Sequence, residues 1–339
     1  MDERLVRAVG EQEAYLVGGA VRDTLRGEPV TDIDVVCVAP ERAAQVFRKE
    51  QGGALFALSE RHGAWRVVSK RETVDFAATR GTIEQDLALR DFTVNAIAEP
   101  LRGGVTIDPM GGVADVGAGK LRAVTDAVFR DDPLRLLRAV RFERELGFQL
   151  DEVTVALIVR DRQLVSRPAG ERILGEIERL GGAGFRRLDE LGLLQGLGGT
   201  SGRLSVVEDV GDTRLAMVAA LGTSIERLPV SNELGRYART VIGAVSPDDG
   251  SPRSIHRFRR ATEPWAIDAL RFHGATNLEA AVRSARAKDP ATALVRGDEL
   301  GVPPGPKVGR LLEAIAEERA AGTITTRAEA LAFAQQEQR

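Results

Sequence analysis

The chain has a single cysteine among 339 residues, which excludes an internal disulfide and a cysteine-based zinc site. That residue, Cys37, lies in the apolar run VVCV and is expected to be buried. Only two tryptophans and two tyrosines are present, so a platform stacking many single-stranded bases is not expected. The three histidines, His62, His256 and His273, are far apart and lack metal-ligand spacing. No apolar run approaches membrane-spanning length, and the opening MDERLVRAVG lacks the apolar core of a signal peptide. The expectation is a cytoplasmic protein with no membrane partner. Neither charge dominates: 47 Lys and Arg stand against 50 Asp and Glu, a net charge of −3. Overall charge therefore gives no loose attraction to nucleic acid, although a local basic face remains open.

What is present suits an ordinary globular chain, 43% hydrophobic and 29% charged, long enough for two or three domains. To about residue 125 the pattern mixes strands and helices. AYLVGG reads as a strand ending in a turn, and AVRDTLRG as a short helix closed by Gly27. DIDVVCVA is a strand, ERAAQVFRKEQGG a helix, AWRVVSK and ETVDFAATR two strands, and GGVTIDPMGG a short strand with a turn. From Asp131 the chain reads as helical: DDPLRLLRAVRFERELGF has Asp at its start, Pro133 in its first turn and Gly147 at its stop. The Gly- and Ser-rich stretch QGLGGTSGRLS, 195–205, is the best boundary, with a weaker one at VSPDDGSP. The expected divisions are 1–125, 126–195 and 196–339.

One segment carries chemistry: LVGGAVRDTLRGEPVTDIDVV. On a strand, residues i and i+2 share a face, so Asp32 and Asp34 project together. Two carboxylates that close repel unless a cation lies between them. A hard ion such as Mg²⁺ suits paired carboxylates and commonly also holds substrate phosphates. Gly18 and Gly19 follow a strand and precede a helix, where bare backbone N–H groups can approach a phosphate. Arg22, one turn into that helix, offers a charge-assisted contact. Strand, Gly-Gly, helix, Arg and Asp-x-Asp in order point to a triphosphate and metal site.

These residues resemble the signature of class II tRNA nucleotidyltransferases and bacterial poly(A) polymerases. The resemblance implies a nucleotidyltransferase head on a mixed, polymerase-beta-like α/β sheet, followed by all-α neck, body and tail domains. It also implies that Asp32 and Asp34 bind catalytic Mg²⁺, and that tRNA, CTP and ATP are the partners and substrates. It continues in LRDFTVNAIA, similar to the family's second motif, where Leu89 replaces the usual first arginine before Arg90, Asp91 and Asn95. IDPMGG resembles the turn closing the head, DDPLR the nucleotide-selecting helix and GERILGEIERL the next neck helix. RGDELGVPPGPKVGRLLEAI resembles the C-terminal segment of long bacterial members.

Asp132, Arg135, Arg138 and Arg141 recur every three residues and are expected along one side of a helix. A carboxylate beside a guanidinium can read a base edge. Asp132 would accept from the exocyclic amine of cytosine or adenine, and Arg135 would donate to the ring nitrogen beside it. Uracil and guanine present a carbonyl there and leave Asp132 unpaired. Arg138 and Arg141 would assist with triphosphate or base. Asp75, in TVDFAATR, is a candidate third carboxylate that completes the metal site or acts as general base, and Arg80 is a phosphate candidate. RSIHRFRR reads as a solvated helix face, with a tRNA backbone contact as the alternative.

One departure matters. Only GTIEQ separates Arg80 from Asp86, where the family usually has a much longer flexible loop that helps the pocket pass from CTP to ATP. Members that add only the two cytidines have that loop cut short. The reading is therefore addition of C and A to tRNA, with CC addition alone or poly(A) synthesis as alternatives. Nucleotidyl transfer to an antibiotic or a protein would share the metal site without needing a base-reading helix. A non-enzymatic RNA-binding module would not need the aspartates. Nothing in the sequence sets an oligomeric state.

Overall fold

The computed structural model describes residues 2–30, 32–59, 63–206, 212–290 and 292–338, so His62 lies outside the described residues. The chain divides into two units, residues 1–180 with 187–196, and residues 181–186 with 197–339.

The first unit is built on a six-stranded sheet of order β3-β4-β5-β2-β1-β6. Its strands are β1 Ala14–Val17, β2 Asp32–Cys37, β3 Ala54–Ser59, β4 Ala64–Val68, β5 Thr73–Ala78 and β6 Ala98–Pro100. β2 and β5 run parallel, with Asp34 opposite Asp75, and the other pairs are antiparallel, so the sheet is mixed. Strand alternation gives it two unlike faces. Leu55, Val67, Val74, Phe76 and Val35 pack with Leu5 of α1 (Glu3–Val9) and Phe47 of α3 (Pro40–Gln51). On the opposite face Tyr15, Val17 and Val36 are covered by Ile83 and Leu87 of α4 (Ile83–Ala88). The same face carries Asp32, Asp34 and Asp75 beyond that cover. α2 (Gly19–Arg26) follows β1 directly and ends at Gly27 in the left-handed conformation.

Three local expectations change. ALFALS forms the edge strand β3, which its weak alternation did not announce. The strand expected in GGVTIDPMGG shrinks to one bridge between Ala98 and Ile107. Asp108 turns the chain away there by accepting from the N–H groups of Gly112 (2.6 Å) and Val113 (2.9 Å), which starts α5 (Gly112–Ala118). The helix expected from Asp132 is two helices, α6 Val128–Asp131 and α7 Arg135–Leu146. Asp132 is extended between them, φ −143° and ψ 99°, because Pro133 disfavours helical geometry in the residue before it.

α8 (Glu152–Asp161) and α9 (Gly170–Ile177) complete the first unit, with α10 (Gly181–Glu190) contributing its last residues. The expected division at 125/126 falls within this unit, where Lys120–Leu121 pairs with Gln149–Leu150.

The second unit is helical: α11 Thr213–Leu221, α12 Asn232–Gly243, α13 Pro252–Thr262, α14 Ala266–Phe272, α15 Glu279–Ala287, α16 Pro306–Ala321 and α17 Arg327–Gln336. It holds one apolar cluster around Ile255, Phe258, Leu270 and Val282 and another around Leu300, Leu311 and Ile315. The basic run on α13 is not open. Arg253, Arg257 and Arg260 pair with Glu318, Glu317 and Glu313 of α16 at 2.5–2.7 Å. Among the described residues, no helix is long and apolar enough to cross a membrane.

Candidate nucleotide and metal site

A cavity of about 1070 Å³ in the first unit is lined by both glycines of the signature, all three aspartates of the sheet and Asp132, Leu134 and Arg135 of DDPLR. β1 ends at Val17 opposite Asp34, so the turn into α2 lies beside the carboxylates. Gly18 has φ +70°, and a Cβ there would stand 2.8 Å from a terminal nitrogen of Arg90 and 3.1 Å from Oδ2 of Asp34. The positive φ favours glycine here, and a side chain would also have to displace the Arg90 terminus. Burial pushes the Asp34 carboxyl up, and Asp75 and Asp32 add to that against the opposing pull of Arg90 and Arg66.

Asp75 stands opposite Asp34 on β5, but both its oxygens are engaged by Arg66 of β4 at 2.7 Å. Arg80 pairs with buried Asp86 at 2.8 Å. Arg22 is buried, and its guanidinium donates to Asn95 Oδ1 at 2.6 Å and to Asp23 at 2.8–2.9 Å. The expected phosphate ligand is thus already held by protein groups. Arg90 is the less satisfied cation. Its Nε is buried without a hydrogen-bond partner among the described residues, and its contacts with Asp86 and the Asn95 carbonyl are 3.4 Å long.

Asn95 continues inward. Its amide donates to Asp91 Oδ1 at 2.9 Å, and Asp91 Oδ2 lies 2.7 Å from Arg138. Burial would raise Asp91, but Arg138, Asn95 and the Phe92 N–H outweigh it and hold the carboxyl below the usual range. Arg138 also reaches Glu176 of α9 at 3.7 Å, and Arg141 Nε lies 2.8 Å from the other Glu176 oxygen. Arg22, Arg138 and Arg141 all stand over the Phe142 ring, at 5.7, 4.9 and 4.4 Å. Arg138 and Arg141 thus line the cavity while tied into a charge chain with Asp91 and Glu176. Asp91, Asn95 and Arg138 join the LRDFTVNAIA turn to α7, and Arg141 ties α7 to α9 through Glu176.

Asp132 and Arg135 remain at the cavity wall. Asp132 Oδ1 accepts from the Leu134 N–H at 3.2 Å, and its carboxylate meets Arg172 of α9 at 2.8 Å. Arg135 donates to the Leu89 carbonyl at 2.6 Å, and among the described residues it has no carboxylate at ion-pair distance. Leu89 itself is 48% exposed at the cavity edge.

A family model described as the poly A polymerase head domain matches residues 14–122. An A-adding tRNA nucleotidyltransferase of Deinococcus radiodurans is 33% identical over 95% of this chain and 95% of its own length. The chain belongs to the tRNA nucleotidyltransferase family. The head-domain match contains Gly18, Gly19, Asp32, Asp34, Asp75 and Arg90 and ends before Asp132 and Arg135. A CC-adding tRNA nucleotidyltransferase of Geobacter sulfurreducens is 44% identical over 49% of this chain, which spans 40% of that relative's length. The Bacillus stearothermophilus CCA-adding enzyme solved in complex with CTP is similar at TM-score 0.76 and 26% identity, covering 98% of this chain and 96% of that one.

Three site residues escaped the sequence reading: Arg66, Arg172 and Glu176. Counting back from the turn at residues 69–72 pairs Arg66 with Asp75, so that contact had a signal. Arg172 and Glu176 are four apart on α9 and share a helix face, but only the fold brings that face to α7.

Proposed function

We propose that this chain is a template-independent enzyme of the cytoplasm that adds C and A nucleotides to the tRNA 3′ end from CTP and ATP, releasing pyrophosphate. The carrying observation is that Asp32 and Asp34, the Gly18 cradle and the Asp132–Arg135 pair line one cavity. Among the described residues no cluster of three His, Cys, Asp or Glu side chains is placed to hold a metal, and Asp75 is engaged by Arg66. Two oxygen-only carboxylates on one strand face still fit Mg²⁺, which takes its remaining ligands from substrate phosphates and water. Asp32 and Asp34 would hold it. When bound, the ion would assist deprotonation of the 3′-hydroxyl and offset charge on the departing pyrophosphate.

The chain's own groups do the rest. First-turn N–H groups of α2 and the under-satisfied Arg90 receive the triphosphate beside Asp34. The chain of buried Arg22, Asn95 and Asp91 with half-buried Arg138 holds that region in register. Arg172 and the Leu134 N–H orient Asp132 and leave an oxygen lone pair for an exocyclic amine. Arg135, held by one donor on the Leu89 carbonyl and by a longer one, 3.5 Å, on the Val128 carbonyl, keeps its remaining N–H groups for the base. C and A satisfy this pair, whereas U and G oppose carbonyl to carboxylate.

A second reading, addition of CC alone, is favoured by the segment after Arg80. It folds straight onto α4, with Thr82 and Gln85 forming a reciprocal cap and Arg80 held by Asp86, and so leaves no free loop. The proposal is tested by CMP incorporation into a tRNA transcript lacking its terminal CCA. Wild type extends it in Mg²⁺ and Asp34→Asn loses at least a thousandfold, whereas an active Asp34→Asn contradicts the mechanism.

A further inference from the structure

The face bearing the aspartates continues past them to the open edge of the sheet. Two rows of facing residues cross it, Asp34–Asp75–Arg66–Phe56 and Asp32–Thr73–Val68–Ala54. α4 covers the other half of this face, yet Phe56 is 51% exposed and Val68 39%. Among the described residues Phe56 is the one exposed aromatic side chain. Every other phenylalanine, tyrosine and tryptophan there is buried or half-buried. Strand alternation holds position 56 on the aspartate face, where Phe56 is half exposed, so core packing does not account for an aromatic there.

In-line transfer fixes which substrate meets this surface. The triphosphate cradle, Gly18 with Arg90, is on the β1 flank of Asp34. The attacking hydroxyl must approach opposite the leaving pyrophosphate, hence from the β5 flank. The strand that delivers it then lies across β4 and β3. Phe56 is three strand spacings from Asp34, about 14 Å, within reach of the last few nucleotides. Arg66, paired with Asp75 but 42% exposed, borders the same path and can meet a backbone phosphate.

We infer that Phe56 is a stacking platform for a base of the single-stranded 3′ end of the acceptor RNA, with Val68 and the Arg66 guanidinium flanking it. This inference rests on the function proposed above and adds a subsite for the RNA. One aromatic accommodates one base, which agrees with the scarcity of tryptophan and tyrosine.

The test compares wild type, Phe56→Ala and Phe56→Trp on a tRNA transcript lacking CCA, with KM measured separately for tRNA and CTP. Phe56→Ala is expected to raise the tRNA KM roughly 5- to 100-fold with the CTP KM unchanged. Phe56→Trp is expected to retain affinity. Its additional emission, taken as the difference from wild type, is quenched by a short single-stranded RNA with the acceptor's 3′ sequence. An unchanged tRNA KM in Phe56→Ala, or Trp emission that RNA does not move, overturns the platform. So does a change in sedimentation of Phe56→Ala with its tRNA KM unmoved, which would assign the edge to pairing between copies. Failure of wild type to extend any tRNA contradicts the proposed function and this inference together. Extension by wild type with an indifferent Phe56→Ala contradicts this inference alone.

Discussion

In the proposed mechanism, selectivity turns on the contact between Asp132 and Arg172. The carboxylate proposed to read the base is held by a guanidinium from another helix at 2.8 Å. Arg172→Ala leaves Asp132 charged but free to turn, so the ratio of kcat/KM for CTP over UTP is expected to fall about tenfold, with Arg172→Lys intermediate, a loss of about 1.4 kcal/mol in discrimination. Unchanged ratios would make the pair structural only. Asp91 answers to stability rather than selection. Asp91→Asn leaves Arg138 with a largely buried, poorly compensated charge and is expected to cost about 3 kcal/mol in urea unfolding near neutral pH. The Asp91 carboxyl is depressed in the folded protein, so its contribution is full above the unfolded value of about 3.9. It is lost as pH falls through the folded value, and the two proteins should converge in stability at the acid end. The sheet aspartates and the glycines were legible because strand alternation and local spacing decide their placement. The partners of Arg22, Arg138 and Arg141 were not, because Asn95, Asp91 and Glu176 reach them across the fold.

Among the elements, the break between α6 and α7 has a local cause that the spacing argument overlooked. Pro133 fits a first helical turn, but it also bars helical geometry from Asp132 and sets that residue at the cavity wall. Pro133→Ala is expected to let the helix extend and lower kcat/KM for CTP about tenfold, while stability changes by under about 1 kcal/mol. Steady-state kinetics beside thermal melts would separate the two. Most strands of the sheet were readable from period-2 runs flanked by Gly and polar turns. β3 was missed because an edge strand with one face open mixes exposed Phe56 with half-buried Leu55 and has no clean alternation.

At the scale of the molecule, the charge balance and the α13–α16 ladder belong together. At net charge −3 the proposed RNA contact has to rest on chosen cations, and those of RSIHRFRR are largely neutralised by α16. Arg257→Ala is accordingly expected to change tRNA affinity less than twofold and to leave its salt dependence unaltered in filter binding. The central claim is that protein side chains, not a template, choose C and A at an RNA 3′ end. It is tested most directly by offering each of the four nucleoside triphosphates to tRNA transcripts ending before the first C, after C and after CC. The account predicts CMP on the first two ends and no UMP or GMP on any, with AMP on the CC end separating full CCA addition from CC addition. No incorporation on any end, or UMP added as readily as CMP, would contradict it.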